Sequence, residues 1–216
     1  MIGGWTRAHW LVVGCCLGVF VAAGLIADWV FERVPHLEDE VAYLFQAQVF
    51  AAGKLYVDAP FHTNCFFAPF VLDHQGHRFG KYSPGWPALL AVGVRLGQPW
   101  WVNAGFAALA VALTFRLGRE VSDRRAGIIA AVLAATSPFV LLLAGSLMSH
   151  TSCLAFTTAF VWCFRRSVVA VRRSRLWALV AGVMLGAVFA IRPYTALAVG
   201  FPALLYGLWR LWRAGE

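Results

Sequence analysis

The chain has 216 residues, 61% of them hydrophobic and only 13% charged, with a formal net charge of +8. That balance excludes an ordinary soluble domain. The basic residues sit in short clusters between apolar runs and form no basic face with aromatic platforms, which excludes a nucleic-acid-binding protein. Cys15 and Cys16 are adjacent in one apolar run, Cys153 and Cys163 lie in another and Cys65 stands alone, so no disulfide framework is implied.

In chain order, the first apolar run covers residues 10–31. Its length of about 22 residues suffices for the ~30 Å hydrocarbon layer, and Trp5, Trp10 and Trp29 fall where indoles favour the two interfaces. The run is too long for the core of a signal peptide, and Asp28-Trp29-Val30-Phe31-Glu32 offers no small-residue cleavage site, so it is read as a retained membrane helix. Asp28 lies near its end, where a carboxylate reaches water. Residues 35–86 are the one long polar stretch, within an expected outer loop of 32–99. Within it, Val41, Leu44, Phe45, Val49 and Ala52 recur at three- and four-residue steps, predicting a surface helix over 38–52 ended by Gly53. Glu38, Asp39 and Glu40 occupy its first turn, the positive end of the helix dipole.

Residues 83–97 hold an apolar core of about 13 residues, two early prolines and a late Arg95, which is short for a span. Placing this segment in the interface puts Arg116, Arg119, Arg124 and Arg125 inside, together with Arg165, Arg166, Arg172, Arg173 and Arg175, as the positive-inside rule requires. The expected spans are then 10–31, 100–117, 126–144 with a kink at Ser137-Pro138, 151–164, 176–191 and 194–212. The fold class is therefore all-α and integral to the membrane: one domain of about six spans, both termini inside, with juxtamembrane amphipathic helices in a long first outer loop.

On this topology the outer polar groups converge from residues 32–99, 145–150 and 192–194. Asp39 and Glu40 are neighbours at a helix start, so their side chains diverge by about 100°. Either carboxylate can act as a general base or a divalent-cation ligand, and either can equally be a solvated N-terminal cap. His62, Cys65, His74 and His77 form H-x2-C-x8-H-x2-H, ligand types suited to zinc in a spacing that matches no standard finger. Arg78, Lys81 and Arg192 can clamp a phosphate, or touch lipid headgroups. Ser149-His150 does not make a serine hydrolase, because chain neighbours cannot readily pair as nucleophile and base and no G-x-S-x-G elbow is present.

Three stretches together resemble the GT-C glycosyltransferases, in particular the protein O-mannosyltransferase and aminoarabinose-transferase families. They are Asp39-Glu40 with Tyr43 in a helix that leads to Ala-Ala-Gly-Lys-Leu-Tyr, the segment Phe79-Gly80-Lys81-Tyr82-Ser83-Pro84-Gly85-Trp86-Pro87, and Arg192-Pro193-Tyr194-Thr195-Ala196. The resemblance implies a polyprenyl-phosphate-sugar donor, a lipid, glycan or protein acceptor, and transfer by single displacement with inversion at the outer face of the cytoplasmic membrane, among membrane lipids. It assigns Asp39 as the catalytic carboxylate and Glu40 as its support or an acceptor contact. Lys81 would hold the donor phosphate as its charge grows, with Arg78, Arg192 and Tyr194 as further candidates. Tyr43 and Tyr82 belong to the motifs, and His150 matches by position in the second outer loop. No cofactor is implied with certainty; a divalent cation stays open. Two departures matter. Gly80 stands where the aminoarabinose branch has a carboxylate before the lysine, and relatives carry further spans and often an exported C-terminal domain. The alternative reading is therefore a non-catalytic or incomplete GT-C-like membrane subunit working with an additional subunit, or a transporter-like protein that binds lipid or sugar.

Overall fold

The computed structural model describes residues 7–169 and 173–214; Trp5 and Arg172 lie outside them. Helix α1 (Arg7–Trp29) is followed by α2 (Glu38–Ala51), a small sheet of β1 (Val57–Asp58), β2 (Val71–His74) and β3 (His77–Gly80), and the short α3 (Gly85–Arg95). The rest is helical: α4 (Trp100–Val121), α5 (Arg124–Thr136), α6 (Pro138–Gly145), α7 (His150–Val169), α8 (Ser174–Ile191) and α9 (Pro193–Ala214).

Local chemistry sets several of these boundaries. The Asp123 carboxylate accepts from the Ala126 N–H at 2.8 Å and caps α5. Pro138 has no N–H to continue that helix, so α6 starts afresh with Ser137 as its cap, and the two axes are bent by 54°. The expected kink is therefore present. At the start of α2 the Glu40 carboxylate reaches back to the backbone N–H groups of His36 at 2.8 Å and Leu37 at 3.4 Å. Asp28, at the end of α1, pairs with Arg33 at 2.6 Å.

The expected membrane helices exist as helices, and the count of six spans is not confirmed. Among the described residues three can cross a membrane by length and composition, His9–Trp29, Trp100–Val121 and Ser174–Ile191, and the bent pair α5–α6 makes a fourth if it is one span. Helices α7 and α9 have 20 and 22 residues but not the apolarity, since α7 carries His150, Thr151, Ser152, Arg165 and Arg166, and α9 carries Arg210 and Arg213. The protein is mostly helical, and its polar stretch adds a small sheet to the expected helices. Its three strands run antiparallel in the order β1-β3-β2. Val57 pairs with Arg78 and His74 with His77. The β2–β3 connection is Gln75-Gly76, both at positive φ, as a tight two-residue hairpin requires.

Helix α4 is central, with α1, α5 and α7 packed against it. Below the polar loop, a buried cluster of Tyr43, Trp86, Leu90, Trp100, Leu147, Met148 and Val188 joins α2, α3, α4 and α8. The contact of α3 with α8 depends on Gly85: a Cβ there would meet the Ala190 carbonyl carbon and oxygen at 2.6 Å. Backbone cannot yield to a methyl group as a flexible side chain can. Gly85→Ala is accordingly expected to destabilise the protein by about 1–3 kcal/mol, read as a lowered unfolding midpoint in detergent.

Candidate active site

The site is organised by a buried tetrapeptide, residues 146–149, between α6 and α7. Three elements hold its backbone. Asn103 of α4 donates to the carbonyls of Ser146 at 2.7 Å and Met148 at 2.8 Å. Trp86 of α3 donates its indole N–H to the Leu147 carbonyl at 2.7 Å, and the Leu147 N–H donates to Glu40 of α2 at 3.0 Å. Such a buried loop needs its peptide groups paired, and these three side chains meet that need. It delivers His150 to the first turn of α7 in a fixed position.

Asp39 and Glu40 divide their roles. Glu40 is 2% exposed, with both oxygens engaged by backbone N–H groups; it ties the start of α2 to the 146–149 loop. Asp39 is half-buried and accepts from the Tyr82 hydroxyl. Tyr82 packs on Tyr43 with ring centroids 4.7 Å apart, and the Tyr43 hydroxyl meets Ser149 Oγ at 3.2 Å. Burial pushes the Tyr43 phenol up. Burial, and then the hydrogen bond to Asp39 and its negative charge, push Tyr82 further up. Both hydroxyls therefore stay protonated near neutral pH.

Arg192 ends α8 at the tight corner before Pro193, where its N–H still bonds to the Val188 carbonyl at 2.7 Å. Asp39 and Arg192 act on His150 with opposite sign; burial first and then the Arg192 charge hold the imidazole below the usual histidine range. His150 Nδ1 is buried without a hydrogen-bond partner among the described residues. His150 and Arg192 are also the basic side chains in the wall of a cavity of about 500 Å³. Its other walls are largely apolar: Phe139, Val140 and Leu143 from α6, Cys153 and Leu154 from α7. Phe139 and Leu154 are exposed on the outside of the bundle, so the cavity opens laterally. A cation and a neutral imidazole with an unused nitrogen, set in an apolar slot, suit the phosphate of an amphiphile.

The remaining predicted residues are placed less uniformly. Lys81 is exposed, its ammonium 4.5 Å from the Phe70 ring centroid and 5.8 Å from that of Tyr82, next to the Asp39 contact. Arg78 is buried in the sheet, bonded to the Phe66 carbonyl, 3.6 Å from Asp73 and over the Phe45 ring; it serves the sheet. Tyr194 is 88% exposed and does not line the cavity. The four metal candidates are not assembled: His62 packs on Phe61, Cys65 sits exposed on a 3-10 turn, His74 is exposed and His77 stacks on Tyr56. Among the described residues no three His, Cys, Asp or Glu side chains gather into a metal site. Asp39 and Glu40 are committed to different partners, so the residues present do not fit a divalent cation. Asn103 escaped the sequence reading, as did the contacts that Trp86 and Ser149, named there on other grounds, make with this loop and with Tyr43, since their partners are remote in the chain. Only an asparagine within an apolar run hinted at one of them.

A family model, dolichyl-phosphate-mannose-protein mannosyltransferase, matches residues 84–214, more than half of the chain. The chain belongs to that family. It is thus a member of a GT-C class of membrane glycosyltransferases, which use lipid-phosphate sugar donors. The matched region takes in α3 to α9, with Trp86, His150 and Arg192; Asp39 and Lys81 precede it. No curated protein and no solved structure matches the chain.

Proposed function

We propose that the chain moves a sugar from a polyprenyl-phosphate donor to an acceptor hydroxyl, at the outer face of the cytoplasmic membrane. The observation that carries this reading is a laterally open, largely apolar cavity walled by His150 and Arg192, with the Asp39 charge near enough to act on His150. The donor phosphate rests against Arg192 and the His150 ring, with its first isoprenoid units between α6 and α7. The acceptor oxygen attacks the anomeric carbon and forms the new glycosidic bond while the bond from that carbon to the phosphate oxygen breaks. Its proton passes to the Asp39 carboxylate. The electron pair leaves with the lipid phosphate, whose growing charge Arg192 and Lys81 offset in a partly dehydrated site. Tyr82 holds the carboxylate in place through its hydroxyl.

The test is turnover of radiolabelled polyprenyl-phosphate hexoses and pentoses by the purified chain in nanodiscs. Wild type is expected to bind and consume at least one donor. Arg192→Gln is expected to raise the donor KM on the order of tenfold or more, as loss of a charge-assisted phosphate contact costs about 1.5–3 kcal/mol. A wild-type chain that neither binds nor consumes any of these donors would defeat the reading.

A further inference from the structure

The end of the bundle opposite Asp39 is built around Trp162 of α7. Its indole N–H donates to Glu120 of α4 at 2.9 Å. Arg165 reaches the same carboxylate at 3.4 Å, and Arg166 Nε lies 3.0 and 3.1 Å from its two oxygens. The Arg166 guanidinium also stands 5.2 Å from the Trp162 ring centroid and 5.1 Å from that of Trp177. Arg116, one turn before Glu120, lies over the same Trp162 ring at 5.5 Å. Two guanidinium groups thus share one indole. Unlike Arg166, Arg116 has no carboxylate and no hydrogen-bond acceptor among the described residues.

The acidic groups here are already in use. Glu120 is shared by Arg165 and Arg166, and Asp123 caps α5. Arg116, Arg119 and Arg125 form no ion pair among the described residues and leave this end with an excess of positive charge. An arginine stacked on an indole presents its fork of N–H groups with little freedom left to lose. Tryptophan also prefers the depth at which headgroups lie. Leu176 and Leu179, on the adjoining start of α8, are 50% and 66% exposed and give acyl chains a surface.

We propose that Arg116, backed by Trp162 and flanked by Arg166, binds the phosphate of an anionic phospholipid. The apolar start of α8, whose Trp177 packs on Trp162 with ring centroids 5.3 Å apart, favours a lipid over a free phosphate. This site is independent of the glycosyl-transfer reading, because it lies at the other end of the helices and shares no residue with it.

The test follows thermal unfolding of the full chain in detergent while phosphatidylglycerol or phosphatidylcholine is added. Phosphatidylglycerol is expected to raise the Tm at mole fractions where phosphatidylcholine does not. Arg116→Gln, a change on an exposed side chain, is expected to weaken the apparent affinity about tenfold, as loss of a charge-assisted contact implies, and Arg116→Lys to fall between. Inorganic phosphate is expected to leave the Tm unchanged. An equal response to both lipids, an undiminished response in Arg116→Gln, or full reproduction by inorganic phosphate overturns the proposal.

Discussion

Asp39→Asn is expected to lower glycosyl transfer by on the order of 100- to 10,000-fold, the range that a positioned general base supplies. The amide oxygen still accepts from the Tyr82 hydroxyl that Asp39 now holds, so the local geometry survives. What is lost is the capacity to take a proton. Thermal unfolding of the variant should match wild type, and donor binding should persist, since His150 and Arg192 are untouched. Turnover measured alongside a donor-binding isotherm separates the two effects. Transfer at the wild-type rate would remove Asp39 from the mechanism.

Glu40→Gln, one residue on, is expected to behave differently. Its two oxygens accept from the Leu147 N–H on one side and from the N–H groups of His36 and Leu37 on the other. An amide replaces one acceptor with an NH2 group facing a backbone donor, in a side chain that is 2% exposed. Lost charged hydrogen bonds and an unsatisfied buried donor cost about 2–4 kcal/mol together. Activity should fall with stability, because the Leu147 tie aligns α2 with the loop that carries His150. Chemical unfolding in detergent reads the first effect and turnover the second. A Glu40→Gln protein as stable as wild type would show that the buried tie contributes nothing.

These two neighbours show how far sequence alone could reach. Their divergence followed from helix geometry, but which carboxylate faced the interior depended on Leu147, 107 residues away. Nothing local marks such a partner; only the place of Glu40 at the third helical position hinted at a capping role. Apolar runs and breakers were legible, down to the break at Ser137-Pro138, because the rules behind them act within a few residues. The hairpin at Gln75-Gly76 had a legible turn, but histidines and acids hid the alternation of its strands. The four-residue metal pattern failed for the opposite reason. Spacing suggested one set, whereas the fold places His74 and His77 across a turn and Cys65 on an exposed segment. The span count rests on α7 and α9: both are long enough, but their hydroxyls, histidine and arginines dilute the apolar signal that would confirm them as spans.

The break between α5 and α6 has a mechanical consequence. Helix α5 is clamped to α4, where a methyl on Gly127 would strike the Phe115 carbonyl oxygen at 2.7 Å. The far end of α6 is clamped to α1, where one on Gly145 would meet Ile26 at 2.6 Å. Between these clamps the backbone is interrupted at Pro138, beside Phe139, which is 70% exposed. Helix α6 is thus held firmly at the root beside His150, while its other end carries the break in the backbone ladder. We expect any widening of the cavity for a bulky chain to fall at the Phe139 end and to leave the polar end still, so that accommodation of the lipid and rigidity for the reacting groups are divided along one eight-residue element.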